Sequence, residues 1–599
     1  MTAGSGKKGS RKRKFICLWL LLFLFVTSQY IGWKLAEEGN IRWNLGGTLL
    51  LLAAGLLVSA AAGLGILALE GLVMRQSLGR EKKALTGIRE LPGPSRCFGL
   101  ALATMLLCWL PGYLAYYPGI CAYDITIQMG QVVSGSYGTH HPLAHTLLVG
   151  LFAKLGNGLG DVNTGIALYT AFQLLCLALT FGAGIAWLRS LRVGTVWIAL
   201  TWIWCCLFPF HIYMSVTVTK DVFFTMFFLL QMICFCQLIH QGENRLGWGR
   251  WDVGYLLSAL GMVLFRNNGR YALLAVAFFL AVGCIRRHGR RRLALRLLTG
   301  TLAGILAGSL GLSLLARGTG AQQGDKREML SIPIQQLART MIYHGGAGVL
   351  PEDDATMEER DRQLIDDFLL DQAYREYRPD IADPVKRHTY TYVVRYRTRE
   401  FLDTYLRLLA RYPGDYVNAA FAVNMGYYYI GDESHAHINE NGLERGLGYI
   451  QTRWVEHELA DFGIYKDSKW EGLHEAMERY ADENMYLRAP VLRMIMVPGV
   501  YLWIWLSLAA FLWIRKKYML MLPVSLIAGY YVTLVLGPTV QLRYLYPVMT
   551  AVPFVLLFVK AECAGRADAE LKLHNARIYR TALVKRIWLA LCSQVTRQF

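Results

Sequence analysis

Four short stretches of this chain hold the side chains best suited to chemistry. Asp124 stands alone in GICAYDITIQ, ahead of a His140-His141-Pro142 corner, and Lys220-Asp221 follows SVTVT. Arg266 and Arg270 bracket Asn267-Asn268-Gly269, and Gln541, Arg543 and Tyr544 fall in GPTVQLRYLYP. Each stretch lies at the edge of a long apolar run. Ionisable groups at such an edge are costly to keep, which makes them functional candidates. A solvated loop acid, or arginines snorkelling to lipid phosphates, accounts for one or two of them. Four cations beside two acids read better as an anion site with a carboxylate next to it.

The elements that position these groups are membrane helices. The chain has 599 residues, of which 54% are apolar, in repeated long runs. Its formal charge of +19 comes from basic residues clustered at the ends of those runs. That is the pattern of positive-inside topology and anionic-lipid contact, and it argues against a nucleic-acid partner. The twelve cysteines lie mostly within apolar segments and show no paired CxxC framework, which excludes a disulfide-stapled exterior domain.

Apolar runs at 15–33, 45–74, 98–113, 164–188, 193–208, 222–239, 253–265, 271–285, 295–315, 490–513, 519–536 and 545–559 are the expected spans. They imply an all-α polytopic bundle of about 11–13 crossings. The basic start at Lys7–Lys14, the loop with Arg80, Lys82, Lys83 and Arg89, and the run Arg286–Arg292 mark the cytoplasmic side. Both termini are then cytoplasmic, and all four polar stretches arrive on the outer face. The segment after His141-Pro142 is too short to cross, so an interfacial helix is expected there.

These assignments divide the chain into a membrane region 1–317 with a first exterior loop 114–162, a mainly helical exterior domain 318–488, a second membrane region 489–560 and a basic amphipathic tail 561–599. In the exterior domain, DRQLIDDFLLDQAYREY and FLDTYLRLLARY carry apolar residues at helical spacing.

This order resembles the GT-C superfamily of membrane glycosyltransferases, which take a sugar from a polyprenyl-phosphate carrier. Asp124 in AYD matches that family's first-loop acid, and HHPLAHTLLVGLFAKLG is similar to its proline-led interfacial helix. Asp221 in TKDVFF matches its second acid. REMLSIPIQQLART and RYPGDYVNAAF, with the Asp124 stretch, look like a bacterial branch of the superfamily. Tyr123 stands where the family carries a second first-loop acid, and His141-Pro142 replaces its paired prolines.

The resemblance implies transfer of a sugar from a lipid phosphate to a hydroxyl of a cell-surface glycan, lipid or protein. The acceptor hydroxyl must lose a proton as it attacks, and the departing lipid phosphate must be stabilised in a partly dry site. Asp124 is therefore expected as general base and Arg543 as the first partner of the phosphate, helped by Lys220, Arg266 and Arg270. Asp221 is expected to orient the acceptor or Lys220, with a purely structural Lys220–Asp221 pair as the alternative. Tyr544, His140 and His141 complete the candidate binding set.

His141 and His145 stand one helical turn apart, the spacing of a zinc pair, but HHPLAH lacks the Glu of HExxH. No cofactor follows from the sequence, and a divalent metal held by Asp124 and Asp221 stays open. So do two other classes. One is a transporter of polyprenyl-linked glycans, built on broken helices at the midplane. The other is a polymerase or ligase of exported glycans.

Overall fold

The protein is a helical bundle, seen in a computed structural model that describes residues 3–41, 45–77, 91–122, 124–242, 247–286, 291–324, 326–431 and 450–564. The expected amphipathic tail beyond residue 564 and most of the basic-loop markers, Arg80, Lys82, Lys83, Arg89, Arg287 and Arg290, lie outside the described residues.

The N-terminal half runs through twelve helices: α1 (Ala3–Glu38), α2 (Leu45–Ser77), α3 (Pro94–Ala115), α4 (Ile125–Ser134), α5 (Leu143–Gly158), α6 (Val162–Ser190), α7 (Thr195–Leu207), α8 (Pro209–Val216), α9 (Lys220–Gln241), α10 (Arg250–Phe265), α11 (Asn267–Arg286) and α12 (Arg291–Thr319). Among the described residues, eight helices are long and apolar enough to cross a membrane, and two bent pairs raise the number to ten. The sequence predicts about 11–13. The difference falls on two neighbours: α10 has only 16 residues, and α11 opens on Asn267-Asn268-Gly269-Arg270, which leaves it a short apolar stretch. The α7–α8 pair bends by 49° at Phe208-Pro209, and Pro490–Met496 with Pro498–Ile514 bends by 74°. Proline breaks both, since it lacks an N–H and clashes with the preceding turn.

The segment after His141-Pro142 is the 16-residue helix α5, about 24 Å long. It runs antiparallel to the first part of α6. His145 bonds Tyr169, Phe152 packs on Tyr169 and Phe172, and a Cβ on Gly156 would strike the backbone of Gly165 at 2.2 Å. These contacts stop within the first half of a helix that continues to Ser190, so α5 stays near one end of the bundle.

Helix α12 packs on α10 through glycines spaced four apart. A Cβ on Gly300 would meet the Tyr255 ring at 3.1 Å, one on Gly304 the Ala259 Cβ at 2.5 Å, and one on Gly308 the Val263 Cβ at 2.7 Å. Small residues at this spacing let two backbones approach closely.

The region 318–488 divides between two cores. Residues from Ile334 to Tyr416 form a core of their own, whereas Leu459, Ile464, Ala481 and Tyr486 join the core of the long helices. A third, small cluster joins Ile31 and Leu35 of α1 to Ala422, Met425 and Tyr428. Arg339, almost fully buried, strengthens that junction by bonding Asp415, Asn40 and the Gly39 carbonyl.

Candidate functional site

Two extended stretches bring the acids together. Ile120 N–H donates to the Val216 carbonyl (2.8 Å), and Val218 N–H donates to the Ile120 carbonyl (3.0 Å). This short parallel bridge ties the approach to Asp124 to the approach to Lys220-Asp221. Behind it, the Gln173 amide donates to the carbonyls of Met214, Ser215 and Thr217. That fixes Gln173 Oε1 as an acceptor, so Tyr169 O–H donates to it (3.1 Å). His145 Nδ1–H donates to the Gln128 amide oxygen (3.1 Å), and its Nε2 lies 2.7 Å from the Tyr169 hydroxyl. Burial pushes the His145 imidazole down to about 3, in keeping with a neutral ring. Both nitrogens are engaged, so the HxxxH spacing braces α4, α5 and α6 instead of presenting a zinc pair.

Asp124 is the N-cap residue of α4, yet its side chain caps nothing. It turns to Lys220, with which it forms an ion pair, and to Arg543 Nη1 at 3.3 Å. Asp221 lies in the first turn of α9, where the helix dipole favours an acid. It pairs with Arg266, at the C-terminal cap of α10, and with Arg543 Nη1 at 3.2 Å. Arg543 is further held by Gln541 Oε1 (2.6 Å) and donates to the Tyr544 hydroxyl (3.0 Å). Arg266 and Arg543 both lie over the Tyr544 ring, at 4.5 and 4.7 Å.

Most of the expected set thus converges: Asp124, Asp221, Lys220, Arg266, Arg543, Tyr544 and His141. The structural Lys220–Asp221 pair held open as the alternative does not form, because Lys220 points across to Asp124 while Asp221 faces the two arginines. Arg270 also stays apart, since one turn into α11 its guanidinium lies over Tyr271 at 5.3 Å. His140 marks the rim, half exposed and 3.9 Å from Glu328. Thr219, which caps α9 at Asp221, and Tyr530, which bonds the Tyr544 carbonyl at 2.7 Å, escape a search for charges because neither carries one.

Exposure separates the two acids. The Asp221 side chain is 0% exposed and that of Asp124 is 26%, so Asp124 is the one an incoming group can reach. Burial by itself would push the Asp124 carboxyl up, but Lys220, Arg543 and His141 outweigh it and hold it well below the usual carboxylate range. Two carboxylates against three cationic side chains do not fit a divalent metal, which would meet like charge on several sides. Among the described residues, no group of three or more His, Cys, Asp or Glu side chains is placed to hold a metal ion.

An apolar cleft of about 730 Å³, lined by Phe25, Trp503, Leu508, Leu556 and Lys560, opens further along the Leu542–Ala564 helix. None of the clustered charges lines it.

Residues 134–573 match DUF6020, described as a family of unknown function. Comparison with curated proteins and with solved structures gives no match.

Proposed function

We propose that this chain, which belongs to the DUF6020 family, is a membrane glycosyltransferase that moves a sugar from a polyprenyl-phosphate donor to a hydroxyl acceptor. The observation that carries the reading is the partly exposed Asp124 held beside Lys220 and Arg543, with Asp221 buried behind them. A reachable carboxylate flanked by anion-binding cations matches the two needs of glycosyl transfer from a lipid phosphate.

In the proposed step the acceptor O–H gives its proton to Asp124, and its oxygen forms a bond to the anomeric carbon. The bond from that carbon to the phosphate oxygen breaks, and the electron pair leaves with the lipid phosphate. Arg543 and Lys220 bear the growing negative charge, while Asp221 and Tyr544 hold the arginines in place. Paired as it is with Lys220, Asp124 is a weak base. The donor phosphate competes for that ammonium and for Arg543, which raises the basicity of Asp124 where the acceptor is deprotonated. The apolar helices and the polar region 318–488 suit a site on the outer face with both termini cytoplasmic.

The test is release of polyprenyl phosphate in proteoliposomes offered a panel of polyprenyl-phosphate sugars and membrane-extract acceptors. Asp124→Asn is expected to lower release by a factor of about 10²–10⁴ with the melting profile retained. Full activity in that variant removes Asp124 from the role of base.

A further inference from the structure

One group in the cluster has hydrogen-bonding capacity left over. His141 is buried, 4% exposed. Its Nδ1 lies 3.4 Å from Lys220 Nζ and 3.9 Å from Asp124 Oδ2. An ammonium only donates, and 3.9 Å is beyond hydrogen-bond reach. Nδ1 is therefore the acceptor for Lys220, and the ring proton of the neutral imidazole sits on Nε2. Burial and the neighbouring Lys220 push the ring down to about 3, so it does not gain a second proton near neutrality. Nε2 itself is buried and has no hydrogen-bond partner among the described residues. A buried donor without an acceptor is unfavourable, so an oxygen that reaches this N–H is favoured.

We propose that His141 is a ligand-binding residue whose Nε2–H donates to a phosphate oxygen of the lipid-linked donor, while its Nδ1, on the opposite edge of the ring, holds the Lys220 ammonium. This rests on the reading of the cluster as a lipid-phosphate site, and it adds the atom that recognises the phosphate. The neighbouring cations favour a phosphate oxygen over a sugar hydroxyl, because the positive charge of Lys220 beside the ring and of Arg543 nearby attracts an anion. His140 packs edge-on against the His141 ring at 4.5 Å and is half exposed at the rim.

The two ring nitrogens have different amide mimics. A glutamine places its N–H near the Nε2 position, and an asparagine places its own near Nδ1. The experiment measures binding of a sugar-free, short-chain polyprenyl phosphate to detergent-purified wild type, His141→Gln, His141→Asn and His141→Ala, with inorganic phosphate as competitor. Gln is expected to bind within about threefold of wild type, and Asn and Ala at least tenfold more weakly. Competition by inorganic phosphate is expected in wild type and Gln. Equal binding by all four proteins overturns the role of His141 and leaves the glycosyltransferase reading standing. Absence of binding in wild type overturns both.

In case a variant fails to fold, ¹⁵N-histidine spectra of the wild type give a second readout. The His141 ring is expected as a neutral Nε2–H tautomer whose Nε2 resonance moves when polyprenyl phosphate is added. An Nδ1–H ring, or an unmoved resonance, overturns the proposal.

Discussion

Arg543 and Asp221 stand 3.2 Å apart across 322 residues of chain. The same guanidinium nitrogen reaches Asp124 at 3.3 Å, so one planar group spans the two acids. Arg543→Lys keeps the charge but not the fork. It is expected to lower kcat by a factor of about 10² with the fold intact, as read from steady-state kinetics beside a melting curve. Arg543→Ala leaves the buried Asp221 with Arg266 as its remaining arginine, and losing one partner of a buried pair costs about 3–5 kcal/mol. That variant is expected to lose thermal stability as well as turnover.

The acid limb of the pH–rate profile tests the pairing of Lys220 with Asp124. Because the folded carboxyl is held below its ordinary value, it stays ionised as pH falls past about 3.9. Its contribution to stability is present above that unfolded value and is lost only as pH falls through the lower folded one. The acid limb of kcat/KM is therefore expected below the ordinary carboxylate range. Lys220→Met is expected to move it upward; a limb that does not shift in that variant separates Lys220 from Asp124.

His344 gives the opposite sign. Nδ1 faces Asp354 Oδ1 and Nε2 faces Asp415 Oδ2, both at 2.9 Å, so the ring donates twice and is an imidazolium. Burial pulls its pKa down, but the two carboxylates outweigh that and raise it. The stabilisation is complete below the unfolded value of about 6.5 and is lost as pH rises through the higher folded value. The melting temperature is expected to fall over that interval in wild type and to be flatter in His344→Gln.

The glycine ladder makes a stability prediction. Gly304→Val forces side-chain atoms against Ala259, whose Cβ a bare methyl would already meet at 2.5 Å. Overpacking of this kind costs about 1–3 kcal/mol. Because α10 ends at Arg266, activity is expected to drop along with the melting temperature. An unchanged melting curve would show that α10 and α12 are not packed through Gly304.

The candidate site was legible in the sequence because charges at the ends of apolar runs cannot be explained by composition. Asp124, Lys220, Asp221, Arg266 and Arg543 stand out for that reason, and the bundle brings them together. Arg270 looked equivalent to Arg266, but the register of α11 turns it onto Tyr271, and no linear pattern reports that rotation. The Gln128–His145–Tyr169–Gln173 chain was hidden because its members are spread over three helices and carry no charge. Helical periodicity marked 318–488 as helical, but it says nothing about which neighbour each helix buries against. The split between a separate core and the bundle core therefore emerged only in three dimensions.

The two backbone bonds between Ile120 and the 216–218 stretch involve no side chain at all. The arms themselves are buried, and a Cβ on Gly119 would meet Thr170 Oγ1 at 2.5 Å and the Val216 carbonyl at 3.1 Å, so the gap between Asp124 and Lys220 is guarded by main chain that leaves no room for a larger neighbour.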